Sequence, residues 1–357
     1  MKNGKIQYAL IGFGGIAENR VAKEGFAMDK KRFPEALPHC ELMGAFDLNP
    51  ARQQAAEALG LKWYKSVDEV LADPEVDAVY IATNNASHAA LAIQAMKAGK
   101  HAMVEKPIAT KEEDVLEMQK VAKEMNLSLG VDHMMVNSAF NRLAKKALAE
   151  GVVGTVNDST FHMQFLYGAT PQEAATWRCS KVEEMGGPIG DVASHCFYMA
   201  EFLFGSKIVS VAASYIPKTM PIAAENGAYI KFTMENGLQG AAMVSFSEPR
   251  GGFVGTMCAQ GYEIYGDKGV MRGFGTMFQF SGHADEPFKV HLEVEDANGV
   301  RQLVPESFQN IYQAQIDSHA VSILNGKHLD GSDGLRNLRQ CRMAHLSAQN
   351  GGKVMDI

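Results

Sequence analysis

The first 132 residues of the chain alternate short apolar runs with longer amphipathic stretches, and this alternation narrows the possible folds more than any other feature. The apolar runs, which we predict to be strands, span residues 7–11, 42–46, 78–82, 102–104 and 127–131. Predicted helices lie between them at residues 51–59, 88–98 and 112–125. The first two end at Gly60 and Gly99, as helices often do. Such an alternation predicts a doubly wound α/β domain with a parallel sheet over residues 1–132.

The pattern changes after Asp132, where the apolar residues begin to alternate with polar ones. Runs at 228–234 and 238–246 flank the turn 235–237 and predict an antiparallel hairpin. Further strands are predicted at 155–163, 261–265 and 289–295, and helices at 138–150, 311–324 and 334–349. Residues 133–357 are therefore predicted to form a second, α+β domain with a mostly antiparallel sheet. Two domains also agree with a length of 357 residues, which exceeds what one core usually serves.

Composition excludes several classes of function. The net charge of -7 and the pI near 5.9 argue against a nucleic-acid partner or an anionic membrane surface. No apolar run approaches the ~18 residues of a membrane span, and the first residues are too short in apolar length for a signal peptide, so a cytoplasmic location is predicted. The five cysteines are widely separated and form no CxxC pair, which gives no indication of a zinc or redox centre.

A glycine-rich turn follows the first predicted strand. It consists of Gly12, Phe13, Gly14, Gly15 and Ile16, and Ala17 completes a GxGxxA pattern. The first glycine permits the tight turn, the second allows the backbone to approach a pyrophosphate, and the small last residue allows the helix to pack on the strand. Because the turn lies between a strand and a helix, the pattern predicts dinucleotide binding.

Asp47 ends the second predicted strand, where a carboxylate can accept both hydroxyls of an adenosine ribose. It lies farther from the turn than the usual ~20 residues, because residues 26–40 resemble an insertion after the first helix. A carboxylate repels a 2′-phosphate, and Arg52 is the only nearby arginine that could offset it. The sequence therefore favours NAD over NADP.

Polar residues end two neighbouring predicted strands of the same sheet. Glu105 and Lys106 follow one strand, and the other is followed by Thr83, Asn84, Asn85 and His88. Ligands of open α/β sheets bind at the carboxyl ends of the strands, so these side chains are predicted to line a cofactor site. The alternative for Lys106 is an ordinary solvated lysine at the end of a strand.

A second group of candidate residues follows the glycine-rich segment 186–190. Asp191 and His195 are four residues apart and so share one face of a predicted helix. A carboxylate beside an imidazole can fix its tautomer and stabilise its protonated form, as a general base requires. Two alternatives stay open: a helix-dipole role for Asp191 with an incidental histidine, and a metal pair completed by His133 or His162.

Taken together, these motifs resemble those of a known family. The segments GFGGIA, ATNNASH, VEKP and GGPIGDVASH, the pair Trp177-Arg178 and the late EIYGDKGVMRG occur in order along nearly the whole chain. This set resembles the glucose-fructose oxidoreductase / inositol dehydrogenase / rhizopine catabolism (Gfo/Idh/MocA) family. The resemblance implies an N-terminal Rossmann domain and a C-terminal domain with a large open sheet, through which homodimers or homotetramers form.

The resemblance also implies residue roles. The catalytic lysine of the family falls on Lys106, its aspartate on Asp191 and its histidine on His195, with Glu105 beside the nicotinamide and a cis bond before Pro107. Candidate substrate contacts are His133, Trp177 and Arg178. The chain departs from the family at Asn84, where proline is common, and over residues 132–137, which leaves the identity of the substrate open.

The function expected from the resemblance is NAD-dependent hydride transfer from a secondary hydroxyl of a sugar, glycoside or cyclitol, with no metal. One alternative is a glycosidase that uses NAD transiently for oxidation, elimination and reduction without net redox. A second is a dinucleotide-sensing regulator without activity, although such proteins usually lose the lysine or the histidine that this chain keeps.

Overall fold

The computed structural model of the protein describes residue 2, residues 4–247 and residues 259–357. The chain divides into two compact units. Unit 1 comprises Met1–Met134 and Asn310–Leu335, and unit 2 comprises Met135–Gln309 and Arg336–Ile357.

Fifteen strands are present in the described part of the chain. In chain order they are β1 (Ile6–Ile11), β2 (Cys40–Phe46), β3 (Lys62–Trp63), β4 (Ala78–Ile81), β5 (His101–Val104), β6 (Leu129–Val131), β7 (Val156–Gln164), β8 (Ile208–Tyr215), β9 (Gly227–Met234), β10 (Gln239–Ser245), β11 (Gln260–Gly266), β12 (Gly269–Phe274), β13 (His291–Asp296), β14 (Gly299–Gln302) and β15 (Met355–Asp356).

The α-helices of the described residues also follow in chain order. They are α1 (Gln53–Ala58), α2 (Val67–Ala72), α3 (His88–Lys97), α4 (Glu112–Met125), α5 (Ala139–Ala149), α6 (Pro171–Ala174), α7 (Trp177–Ser180), α8 (Ser194–Phe204), α9 (Ile311–Leu324) and α10 (Ser332–Gln349). Two π-helical segments cover Ala17–Gly25 and Ile189–Ala193. Short 3-10 turns cover Pro50–Arg52, Asn85–Ser87, Met134–Asn137 and Val182–Glu184.

Unit 1 is built on a six-stranded sheet with the order β3-β2-β1-β4-β5-β6. All neighbouring strands are parallel, and β1 is buried along its whole length. The order reverses between β1 and β4, which is the switch point of a Rossmann fold. The prediction of a doubly wound parallel sheet is confirmed, and each of its five predicted strands is present; the two-residue β3 was not predicted.

Helix α9 belongs to unit 1 although it lies near the end of the chain. Its His319 accepts or donates a hydrogen bond of 2.8 Å between Nδ1 and the hydroxyl of Tyr8, which is fully buried in β1. The amide of Leu129 in β6 donates to the carbonyl of Leu329, 2.8 Å away. The division 1–132 and 133–357 therefore differs from the compact units, because residues 310–335 return to cover the first sheet.

Unit 2 contains a nine-stranded sheet with the order β14-β13-β12-β11-β7-β10-β9-β8-β15. All its neighbouring pairs are antiparallel except β7 and β10, so the prediction of a mostly antiparallel sheet is confirmed. The predicted hairpin is β9 and β10, with Gly237 at φ +86° in its turn. Strands β8, β12, β14 and β15 were not predicted.

Helices and thiols add two further observations. Within the described residues, no helix combines the length and the apolar character needed to cross a membrane. Cys40, Cys179, Cys196 and Cys341 are buried thiols, whereas Cys258 lies outside the described residues.

Candidate active site

The glycine-rich turn connects β1 to the segment Ala17–Gly25. Gly12 adopts φ +92°, and a Cβ there would lie 2.6 Å from the carbonyl oxygen of Ala82, so only glycine fits. A Cβ at Gly14 or Gly15 would meet no heavy atom within 4 Å. The backbone of these two glycines is therefore accessible to a ligand, which is the property that a pyrophosphate site requires.

Asp47 lies beside this turn. Its Oδ2 accepts a hydrogen bond from the amide of Phe13 at 2.6 Å, and its Oδ1 accepts one from the amide of Asn49 at 2.8 Å. The carboxylate is thereby held in one orientation at the end of β2. Because a carboxylate has about four acceptor sites, two remain available for other donors such as ribose hydroxyls.

Arg52, the cation that could offset Asp47, is already engaged at the same turn. Its Nε donates to the carbonyl oxygen of Phe13 at 2.7 Å, and its Nη2 forms an ion pair with Glu18. Hydrogen bonds from Lys23 and from Arg52 lower the pKa of Glu18. The arginine therefore stabilises the turn and its first helical residues.

His88 connects the loops that follow β4 and β5. Its Nδ1 lies 2.8 Å from the carbonyl oxygen of Pro107, and its Nε2 lies 3.3 Å from that of Thr83. The side chain is only 1% exposed, and burial lowers its pKa. The histidine predicted as a cofactor contact is thus a buried connection between two loops. Beside it, the hydroxyl of Ser87 donates to Asn84 Oδ1 at 2.6 Å, and Asn85 is buried.

The loop after β5 carries Glu105 and Lys106. The bond between Lys106 and Pro107 is cis, as predicted. The amide of Lys106 lies 3.2 Å from Glu105 Oε2, and the hydroxyl of Tyr80 lies 3.1 Å from Glu105 Oε1. The same hydroxyl lies 2.8 Å from Oδ2 of Asp132, which follows β6. Tyr80 in β4 and Asp132, directly after β6, were not predicted from the sequence.

His133 is the predicted substrate contact in unit 1. It is buried, and its Nδ1 lies 3.3 Å from Oδ2 of Asp333 at the start of α10. The structure thus gives His133 an acidic partner that the sequence did not predict.

In unit 2, Asp191 lies in the segment Ile189–Ala193 and is 5% exposed. Its Oδ2 accepts a hydrogen bond from Arg178 Nε at 3.0 Å, and the charge of Asp191 raises the pKa of that guanidinium. The guanidinium carbon also lies 4.9 Å from the centroid of the Trp177 ring. Trp177, Arg178 and Asp191 therefore form one contiguous group, with a charge pair next to an aromatic ring.

His195 lies one turn farther along, in the first turn of α8. It is 3% exposed, and its Nδ1 lies 2.6 Å from the hydroxyl of Tyr198. A neutral imidazole that carries its proton on Nδ1 donates it to this oxygen and keeps Nε2 as a base. Tyr198 was not singled out in the sequence, but its spacing of three residues from His195 on a helix was the available signal.

The described residues contain no cluster of three or more histidine, cysteine, aspartate or glutamate side chains that could hold a metal ion. The candidate catalytic groups of unit 1 are the strand-end Lys106 and the nearby carboxyls of Glu105 and Asp132. Those of unit 2 are the buried His195 and the buried Asp191, which is paired with Arg178.

Comparisons with known proteins agree with these observations. Residues 6–133 match the model of an oxidoreductase family described as an NAD-binding Rossmann fold, named GFO_IDH_MocA, and residues 141–272 match a C-terminal domain of the same family. A 1,5-anhydro-D-fructose reductase from Ensifer adhaerens is 31% identical over 82% of this chain and 83% of its own. A levoglucosan dehydrogenase from Pseudarthrobacter phenanthrenivorans is 34% identical over 47% of this chain and 43% of its own.

A solved structure extends the likeness to the whole chain. The aldose-aldose oxidoreductase from Caulobacter crescentus superimposes with a TM-score of 0.83 at 22% identity, covering 99% of this chain and 100% of that one. At this identity the likeness establishes the fold.

Proposed function

Because the chain belongs to the Gfo/Idh/MocA oxidoreductase family, we propose that it is an NAD-dependent dehydrogenase that removes a hydride from a secondary hydroxyl of a sugar, a glycoside or a cyclitol. The observation that carries the proposal is the joint presence of Lys106 after β5, of buried Asp191 in the segment Ile189–Ala193 and of buried His195 in α8. The relatives reported above are named for sugar substrates, which supports the substrate class.

The residues of unit 1 fit a dinucleotide. The accessible backbone of Gly14 and Gly15 would hold the pyrophosphate, and the carboxylate of Asp47 would accept the ribose hydroxyls. We propose NAD rather than NADP because Asp47 would repel a 2′-phosphate, while Arg52 is occupied by Phe13 and Glu18. Thr83, Asn84, Asn85 and Glu105 would border the rest of the cofactor, with Phe13 and Ile16 in the turn.

When bound, NAD supplies the hydride acceptor of the reaction. His195 takes the hydroxyl proton at Nε2 while Nδ1 donates to the oxygen of Tyr198. Asp191 supplies negative charge near the imidazole, which stabilises its protonated form. The ion pair with Arg178 holds the Asp191 carboxylate in place.

Lys106 acts on the oxygen of the reacting hydroxyl. Its ammonium stabilises the negative charge that develops as the proton and the hydride leave. His133, Trp177 and Arg178 are proposed to contact other hydroxyls of the substrate, since aromatic rings and charged donors suit the two kinds of surface that a sugar presents.

We further propose that the chain forms homodimers or homotetramers through the nine-stranded sheet. In β9 the side chains alternate between buried and exposed, and Tyr229 is 54% exposed on the outer face. Ala212, Ala241 and Met243 line the same shallow depression as Tyr229. Light scattering on the purified protein measures the assembly. The predicted cytoplasmic location stays a prediction.

The test of the function is a screen for NADH formation across hexoses, glycosides, uronates and inositols, repeated with NADP. We expect NADH in stoichiometry with the substrate consumed, and a higher kcat/KM with NAD. Substrate consumption without NADH would instead indicate a glycosidase that uses NAD transiently. Tight NAD binding without turnover of any member of the panel, in either direction, would contradict the proposed substrate class.

A further inference from the structure

Three polar side chains from three neighbouring strands of unit 1 meet next to Lys106. Tyr80 lies in β4, Glu105 follows β5 and Asp132 follows β6. The Tyr80 hydroxyl is 3.1 Å from Glu105 Oε1 and 2.8 Å from Asp132 Oδ2. Tyr80 is fully buried and Asp132 is 1% exposed. One phenol oxygen is thus shared by two carboxyl groups, of which Asp132 is buried and Glu105 is half-buried.

Counting protons in this group gives a definite result. A phenol has one proton and can donate it to only one of the two carboxyls. The other carboxyl makes a hydrogen bond with the same oxygen only if it carries a proton of its own. If both carboxyls were ionised, one of them would face the lone pairs of the phenol oxygen inside the protein.

The surroundings indicate which carboxyl holds the proton. Oδ1 of Asp132 is buried, and no N–H or O–H group of the described residues donates to it. Burial, followed by the charge of Glu105, raises the pKa of Asp132 well above its usual range. Burial also raises the pKa of Glu105, but the charge of Lys106 and its amide 3.2 Å away oppose that shift. Asp132 is therefore the carboxyl that keeps its proton more readily.

Other charged groups of unit 1 bear on this group. The charge of Lys106 acts on both carboxyls. His133 directly follows Asp132 in the chain, and its partner Asp333 lies at the start of α10. Tyr312 of α9 is buried, and after burial the charges of Glu105 and Asp132 are the largest causes that raise its pKa. Within the segment Ala17–Gly25, the charge of Arg20 lowers the pKa of Tyr312 and that of Glu24 raises it. The raised pKa values of Tyr312 and Tyr80 keep both hydroxyls protonated beside the carboxyls.

We propose that Asp132 is a positioning residue that works as a carboxylic acid. Its proton is donated to Tyr80, the Tyr80 proton is donated to Glu105, and the three side chains together carry one negative charge next to Lys106. This arrangement orients Glu105 from behind while limiting the negative charge that Lys106 experiences.

Infrared spectroscopy tests the protonation state without substrate or cofactor. We expect the wild-type protein at pH 7 to show a protonated-carboxyl C=O band that shifts in D2O, and Asp132→Asn to remove it. The matched control Asp330→Asn, an exposed aspartate of the same unit, keeps the band. Tyr80→Phe retains both carboxyls and moves the band, because the acid loses its acceptor. An Asp132→Asn spectrum that loses only carboxylate intensity would overturn the proposal.

A second measurement rests on the proposed function. NAD+ carries a positive nicotinamide ring and would bind at the carboxyl ends of these strands, where its charge favours loss of the Asp132 proton. Affinity for NAD+ should therefore rise with pH, by at most about tenfold per pH unit for one released proton. NADH, with a neutral ring, should lack this dependence, and so should NAD+ with Asp132→Asn.

The two measurements separate the two ideas. A carboxylic acid band in a protein that binds neither nucleotide would contradict the proposed function and support the protonated Asp132. Tight NAD+ binding with no acid band would overturn the protonated Asp132 and leave the function standing. An affinity for NAD+ that rises with pH equally in Asp132→Asn would assign the released proton to another group and contradict the proposed role.

Discussion

The two units place their polar side chains by different means. In unit 1, Asp47, Glu105 and Asp132 each follow a parallel strand, so the order of the strands brings them to the same edge of the sheet. In unit 2, Asp191 and His195 lie about one turn apart along the chain. The partner of His195 comes from local helical spacing, and that of Asp191 comes from the short helix α7. Positions in unit 1 thus depend on sheet topology, whereas those in unit 2 depend on individual side-chain contacts.

This difference teaches what each unit tolerates. A residue at the end of a parallel strand keeps its position as long as the sheet is intact, so its substitution tests chemistry more than placement. A histidine on a helix is oriented by the groups that bond its ring. Its neighbours should therefore matter almost as much as the histidine itself.

The largest effects are expected when one catalytic group is removed from each unit. His195→Ala should lower kcat by about 10² to 10⁴ with little change in NAD affinity, because a base is needed only as the alcohol reacts. Lys106→Met should lower kcat to a similar extent. Higher pH should partly restore the histidine variant, since hydroxide can replace a base, but not the lysine variant, whose positive charge hydroxide cannot supply.

The measurement is kcat and kcat/KM from pH 6 to 10 for both variants. Lys97→Met, an exposed lysine of α3, is the matched control and should behave as wild type. Near-normal turnover by Lys106→Met would make this residue an ordinary strand-end lysine. Equal recovery of both variants at high pH would remove the distinction between their roles.

The next largest effect concerns the cofactor site of unit 1. Asp47→Ala should weaken NAD binding by roughly 1.5 to 3 kcal/mol, the worth of hydrogen bonds to a charged acceptor, and should narrow the discrimination against NADP. Titration calorimetry with both nucleotides measures the change, and Glu57→Ala in α1 is the control carboxylate. A wild-type protein that prefers NADP would show that Arg52, rather than Asp47, decides the choice.

A third prediction compares the acid stability of the units. Burial lowers the pKa of His319 to about 3 and that of His101 to about 4 in unit 1. The unfolded state gains protons near pH 6.5, before the folded state does, so stability is full above that pH and falls between pH 6.5 and about 3 to 4. Through His319 alone, the free energy of unfolding should be about 2 kcal/mol lower at pH 5 than at neutral pH.

Hydrogen exchange at pH 7 and pH 5 should therefore show unit 1 opening more readily at the lower pH. His319→Gln should reduce this dependence. His345→Gln in unit 2, where burial also lowers the pKa of the histidine, should affect exchange mainly in its own unit. Acid opening of unit 2 before unit 1 would contradict the prediction.

The smallest effect tests the orientation of His195. Tyr198→Phe should lower kcat by about tenfold, the equivalent of one hydrogen bond of ~1.4 kcal/mol, and should shift the acidic limb of its pH profile while NAD affinity stays the same. Tyr265→Phe, in β11, is the control. An unchanged pH profile with a uniform loss of stability would assign Tyr198 a packing role alone.

The sequence predicted most of unit 1 because its strands are continuous apolar runs and its site residues directly follow them. The glycine turn and Asp47 were read from local pattern, whereas the cis bond at Lys106 was expected from the family resemblance. Tyr80 and Asp132 were missed because their pairing depends on which strands are neighbours. In unit 2 the two-residue β15 and the fully exposed β14 carry no apolar signal. The ion pair between Arg178 and Asp191 joins segments whose approach no spacing encodes.

The return of residues 310–335 to unit 1 has a consequence for synthesis on the ribosome. The first sheet is complete in strands by Val131, yet the hydroxyl of Tyr8 hydrogen-bonds to His319 and the amide of Leu129 donates to Leu329. Domains generally fold from the N-terminus as the chain emerges, at about 5 to 20 residues per second. Unit 1 instead stays without residues 310–335, which cover its sheet, until residues 135–309 have been synthesised. A chain stopped at residue 134 should therefore be a poor substitute for the unit, exposing the surface that α9 covers and prone to aggregate.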